Sequence, residues 1–105
     1  MDQEMEITRM QLIQDALSLR ERVIQYYRAR GDPEAEEGLA AFLERIAEKL
    51  AQNPVDGTWI SEHIWGIFRL VSDDYYLERS TLGEDLCNFK DRAREFAKKV
   101  ISGIG

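Results

Sequence analysis

Apolar residues recur along this chain at spacings of three and four, the period of an α-helix, and no stretch alternates with the period of two that marks a half-buried strand. Leu12, Ile13, Ala16, Leu17, Leu19, Val23, Ile24, Tyr26 and Tyr27 fall in one half of a helical wheel. Gln11, Gln14, Asp15, Ser18, Glu21, Arg22 and Gln25 fall in the other. The pattern predicts a first helix from Asp2 or Met5 to Arg30. Gly31 stops it, with Arg28 and Arg30 in a last turn whose dipole favours cations. A second start is predicted at Asp32, a capping residue, with Pro33 at the first helical position and Glu34, Glu36 and Glu37 near the positive end of the dipole. Leu39, Phe42, Leu43, Ile46 and Leu50 continue it to Asn53-Pro54, where proline pushes the preceding residue out of the α region.

From Trp59 to Val71 the wheel is apolar nearly all round, with a narrow polar strip of Glu62 and Arg69 and with Gly66 beside it. Such a helix belongs in the middle of a fold, so the other helices are expected to pack around it. Thr58 or Asp56 is its cap. Gly66 costs about 1 kcal/mol relative to alanine in helix propensity, and predicts the close approach of a neighbouring helix. Asp56-Gly57 lacks alternating flanks, so it reads as a turn and not as a hairpin. The segment Ser72–Arg79 fits either two more helical turns or a connector. Thr81 and Glu84 then read as a capping box. Leu82, Leu86, Phe89, Ala93, Phe96, Ala97, Val100 and Ile104 form the stripe of the last helix. Short connections favour antiparallel neighbours. The expected class is all-α, one domain over residues 1–105. The architecture is either an up-down-up-down four-helix bundle or an irregular, orthogonal array around the central third helix.

Charge narrows the function. With 20 acidic residues against 14 Lys and Arg, the formal net charge of the 105 residues is −6. That balance argues against a nucleic-acid partner, which calls for a basic field. No apolar run approaches the ~20 residues of a membrane span, so no membrane partner is expected. The start, Met1 to Glu6, is acidic where an export signal is basic, and Cys87 is the sole cysteine; both favour a reducing cytoplasm. Charge is also uneven. Asp32 to Glu62 holds eight acidic and two basic residues, whereas Leu86 to the end holds two acidic and five basic. Glu36, Glu37, Glu44 and Glu48 are therefore candidates for a steering face toward a basic partner.

No reaction centre can be assembled from the motifs. A single histidine and a single cysteine do not make a zinc site, and paired Glu-x-x-His motifs and the spaced-acid calcium loop are missing. Phosphate-binding glycine loops and nucleophile elbows are missing as well. No metal, cofactor or catalytic residue is expected; a Cys87–His63 dyad has no supporting neighbours. His63 lies on the apolar sector with Ile60, Ile64 and Ile67, and Arg20 projects between Ala16, Val23, Ile24 and Tyr27. Both are candidate buried polar positions. Arg20 snorkels to the rim, meets Glu62, Asp73 or Asp74, or receives an anionic ligand. The best lead is aromatic: Trp65, Asp73, Asp74, Tyr75, Tyr76 and Glu78 are candidate partner contacts, rings supplying area and carboxylates orientation.

The run Asp73-Asp74-Tyr75-Tyr76 resembles the tyrosine pair of the bacterial DNase-bacteriocin immunity proteins. That likeness implies a four-helix inhibitor whose acidic face covers a basic nuclease. It covers four of 105 residues. Leu77 stands where the family has a proline, and the tyrosines follow the third strong helical stretch instead of lying in a short helix between the second and the last. On these residues the chain is not assigned to the family. The leading expectation is a non-enzymatic protein–protein interaction module: an adaptor, inhibitor or regulatory subunit. One alternative is a homodimer packed across Gly66 with Trp65 and Phe68. Another is a helical bundle binding a small molecule among Arg20, His63 and a tyrosine.

Overall fold

The computed structural model describes residues 2–103, and everything regular in it is helical, with no strand among the described residues. Six helices follow in order: α1 (Gln3–Ala29), α2 (Leu39–Ala51), α3 (Gly57–His63), α4 (Trp65–Ser72), α5 (Tyr75–Glu78) and α6 (Thr81–Ile101). Ile104, assigned to the last helix by its spacing, lies outside the described residues.

Local chemistry sets most of the boundaries. Asp2 caps α1 by accepting from the Met5 amide at 2.8 Å. After α1 the chain leaves the helix through Gly31, whose φ of 76° suits a residue without Cβ. The second helix starts at Leu39 and not at Asp32. Asp32 does bond an amide, that of Glu34 at 2.8 Å, but it closes a local turn. Gly38, at φ 59°, separates that turn from the helix, because a left-handed residue cannot continue a right-handed ladder. Glu34, Glu36 and Glu37 thus precede α2 instead of occupying its first turn.

The long apolar stretch breaks at Ile64. Asp56 caps α3 through the Trp59 amide at 3.1 Å. The Ile67 amide reaches the Ile64 carbonyl, three residues back, at 3.2 Å, a tighter step that separates α3 from α4. Ile60, Ile64, Ile67 and Val71 all point into the core. Trp65, Phe68 and Leu70 point outward. The expected central helix is therefore a broken one with a single covered face. Its open side is what made the wheel look apolar all round.

Residues 73–79 are a connector holding one helical turn, α5. Asp74 caps it, accepting from the amides of Tyr76 and Leu77 at 3.2 and 3.1 Å. The cap of α6 is Ser80, not Thr81; its Oγ accepts from the Gly83 amide at 3.0 Å, so Thr81 sits inside the helix.

One core runs through all six helices, from Leu12, Ala16 and Val23 of α1 to Leu86, Phe89 and Phe96 of α6. Each fully buried Leu, Ile or Phe contributes about 2 kcal/mol relative to exposure. α2 lies antiparallel on α1: Arg9 donates to the Leu50 carbonyl at 3.0 Å, and Arg20 reaches Glu44 at 3.3 Å. α6 lies antiparallel on the adjacent side of α1, with Arg22–Asp85 and Arg92–Asp15 pairs both at 2.8 Å. Two glycines mark close approaches. A Cβ on Gly66 would stand 2.3 Å from Phe42 Cε2, so α2 lies against α4 there, as the sequence predicts. A Cβ on Gly83 would stand 2.0 Å from the Leu77 carbonyl oxygen, which seats α5 directly on α6.

Candidate functional site

Four large aromatic side chains lie open on consecutive elements. Trp65 and Phe68 of α4 are 45% and 49% exposed, and Tyr75 and Tyr76 of α5 are 60% and 69% exposed. Trp65 and Phe68 meet edge to face at 6.5 Å, and Tyr75 and Tyr76 at 5.4 Å. Such contacts stiffen exposed rings by a modest amount, roughly 0.5–1.5 kcal/mol for a pair.

The groups that touch these rings are cations. Lys90 Nζ lies 4.7 Å from the Trp65 ring and 5.1 Å from the Phe68 ring. The Arg94 guanidinium is 4.9 Å from Trp65, and that of Arg79 is 4.3 Å from Tyr75. Lys90 is only 7% exposed, rare for a lysine, and its ammonium pairs with Asp91 at 3.2 Å. The two ring faces and that carboxylate compensate its lost hydration. The sequence points to Trp65, Tyr75 and Tyr76; it does not point to Lys90, Arg79 or Arg94. Their signal is faint: Gly83, Lys90 and Arg94 are seven and four residues apart, which aligns them on one stripe of α6.

The predicted carboxylates divide. Asp73 and Glu78 are exposed beside the tyrosines. Asp74 is occupied within the chain, capping α5 and accepting from the Tyr27 hydroxyl at 3.1 Å. Burial, and then the Asp74 carboxylate, hold the Tyr27 phenol well above its ordinary pKa. The predicted steering face is partly neutralised: Glu36 pairs with Arg28, and Glu44 with Arg20, while Glu37 and Glu48 are exposed.

Both candidate buried polar residues lie elsewhere. His63 is exposed; its ring stacks on Trp59 at 4.5 Å, and its Nδ1 donates to the Trp59 carbonyl at 2.8 Å. Ile60, Ile64 and Ile67 take the buried face of this stretch, and His63 lies outside it. Arg20 snorkels to the rim, where it pairs with Glu21 at 2.7 Å as well as Glu44, and not with Glu62, Asp73 or Asp74. Arg20 and His63 therefore do not converge on a pocket. A groove of about 490 Å³ lies between the first turns of α1 and the last turns of α6, over Met5, Leu12 and Phe96. Neither Arg20 nor His63 lines it. Gly66, expected at a self-association contact, is filled by Phe42 of the same chain.

Cys87 is half-buried against the core. Among the described residues no three His, Cys, Asp or Glu side chains gather as a metal site, and no helix is long and apolar enough to cross a membrane. The chain matches no protein-family model, and comparisons with curated proteins and with solved structures give no match.

Proposed function

We propose that this chain is a non-catalytic protein-interaction module that docks its partner on the aromatic surface of α4 and α5. The observation that carries the reading is the exposure of Trp65, Phe68, Tyr75 and Tyr76 together on neighbouring elements. Large aromatics are costly to leave in water and are enriched at the centres of interfaces. Asp73 and Glu78 lie at the edge of this surface, where charges orient a partner more than they bind it. The supporting architecture is an irregular helical array, with α3 and α4 as the broken third element. In this reading the module works in a reducing cytoplasm as an adaptor, inhibitor or regulatory subunit; the acidic N-terminal residues and the lone Cys87 support that compartment.

The test is affinity capture from lysate of the native host, with the intact protein and with the Trp65→Ala/Tyr76→Ala double variant. The expected result is a partner retained by the former and lost by the latter, with the thermal transition of the double variant preserved. An unchanged set of bound proteins sinks this surface.

A further inference from the structure

Carboxylates outnumber Lys and Arg by 20 to 14 in this chain, yet several guanidiniums have none. Among the described residues, Arg30, Arg45, Arg69, Arg79 and Arg94 make neither an ion pair nor a side-chain hydrogen bond. Arg9, Arg20, Arg22, Arg28 and Arg92 each hold a carboxylate. Three of the free ones lie on rings instead: Arg30 at 3.8 Å from Tyr26, Arg79 at 4.3 Å from Tyr75, and Arg94 at 4.9 Å from Trp65. Each of these guanidiniums is held near a ring and spends no N–H donor on a carboxylate. Its N–H donors, which lie in its plane, stay available, and their fork matches a carboxylate.

Two of these ring-held forks share one side of α6. α5 sits on Gly83, and Trp65 and Phe68 of α4 sit over Lys90 and Arg94. Gly83, Lys90 and Arg94 form a single stripe, so α5 and α4 follow each other along it. Arg79 stands at the start of α6, and Arg94 lies thirteen residues beyond Thr81, about 20 Å along the axis. About six residues of extended chain cover that distance. Between the two forks lie apolar rings and the covered ammonium of Lys90. The same end of the chain is its basic one, with five cations against two carboxylates after Leu86.

We propose that this run is a receptor for an acidic segment of a partner protein, one that carries apolar side chains between its carboxylates. The inference rests on the aromatic surface being the docking face, and it reverses the sign of the partner that composition alone suggests. The rings take the apolar side chains, and the Arg79 and Arg94 forks each take a carboxylate. A polynucleotide fits less well, although aromatics with arginines also suit single strands. Tracking a phosphate backbone needs many neutralised charges and a basic field. Here the net charge is −6, and Asp73 and Glu78 flank the Arg79 end of the run. A peptide can place isolated carboxylates between such repulsive points; a continuous polyanion cannot.

The test uses the Trp59→Phe protein, in which Trp65 is the sole tryptophan, titrated with a synthetic peptide of glutamates interspersed with leucine and phenylalanine. Trp65 fluorescence is expected to change saturably, and binding to weaken with added salt. Arg79→Ala and Arg94→Ala are each expected to weaken binding by about tenfold with the thermal transition unmoved. The same peptide with glutamine for glutamate is expected not to bind. Equal binding of the glutamine peptide, arginine variants that bind like the parent, or no binding of the glutamate peptide overturns the proposal. So does tighter binding of a short single-stranded oligothymidylate. If the Trp65→Ala/Tyr76→Ala variant loses its captured partner while the arginine variants keep it, the acidic occupant is wrong and the docking face stands.

Discussion

The two tryptophans, Trp59 on α3 and Trp65 on α4, sit on either side of a break and have opposite fates. Trp59 is braced on three sides: His63 stacks on it at 4.5 Å, Phe42 meets it edge-on at 6.2 Å, and Lys49 lies 5.4 Å from its ring. It packs against the core. Trp65 has cations beneath it and water above. The same stretch of sequence therefore builds a structural ring and an available one, and the tight step at Ile64 separates them. Apolar character alone does not distinguish a core residue from a contact residue; what the neighbouring helices bring to the ring does.

The sharpest way to break this contrast is at the glycines that seat each half on α6. In Gly83→Ala the new methyl meets the backbone oxygen of Leu77, 2.0 Å away, which cannot swing aside. About 3 kcal/mol of stability should be lost in urea unfolding, with α5 and its tyrosines displaced. Gly57→Ala is the control on the braced half. There the nearest atom is the Val100 side chain at 3.0 Å, and the Ala97 oxygen is at 3.2 Å. A loss of about 1 kcal/mol is expected, because a side-chain terminus can yield and alanine gains helix propensity. Equal losses at the two positions would mean that α5 is no more tightly seated than α3.

The tryptophans test the contrast directly. Trp59→Ala removes a half-buried ring and its three neighbours' contacts, and should cost about 2 kcal/mol. Trp65→Ala should cost less than about 1 kcal/mol, since water already covers much of that ring. Denaturant midpoints of the two variants decide it. If Trp65→Ala proves the more damaging, the α4 surface is structural and the docking face is lost.

Much of this was legible in the chain. Period and caps locate α1 and the start of α6 to within a residue or two, because a long amphipathic stripe with Asp2 before and Gly31 after bounds α1 and a hydroxyl residue beside a second stripe opens α6. The start of α2 was not legible: Asp32-Pro33 is a sound helix start, and only the backbone of Gly38 overrides it. The break at Ile64 was not legible, because Ile60, Ile64, Ile67 and Val71 keep the spacing of one continuous helical stripe and all lie in the core. Without the break, His63 reads as a core residue and the whole stretch as central. At the surface, the exposed aromatics were readable as candidates. The charge that faces them was not, because Lys90 and Arg94 reach Trp65 from a helix that begins sixteen residues later in the chain.

A single hydrogen bond anchors the open half to α1. The Tyr27 hydroxyl donates to Asp74 Oδ2 at 3.1 Å, and Asp74 in turn caps α5. Tyr27→Phe should cost about 1 kcal/mol near neutral pH, the net worth of one hydrogen bond. Its pH dependence is more telling. Burial, and then the Asp74 carboxylate, raise the folded-state pKa of Tyr27 above the ordinary 10, so the folded chain holds this proton more tightly than the unfolded chain does. That stabilisation is complete below about pH 10, where both states keep the proton, and it is lost as pH rises further and the unfolded chain releases it first. Unfolding free energy should therefore fall less steeply above pH 10 in Tyr27→Phe than in the parent protein. Hydrogen exchange should quicken at the Tyr76 and Leu77 amides, which depend on Asp74, while the Trp59 amide, capped by Asp56, keeps its rate. Parallel pH curves, or faster exchange spread equally over α3, would show that the Tyr27–Asp74 bond does not anchor the open half.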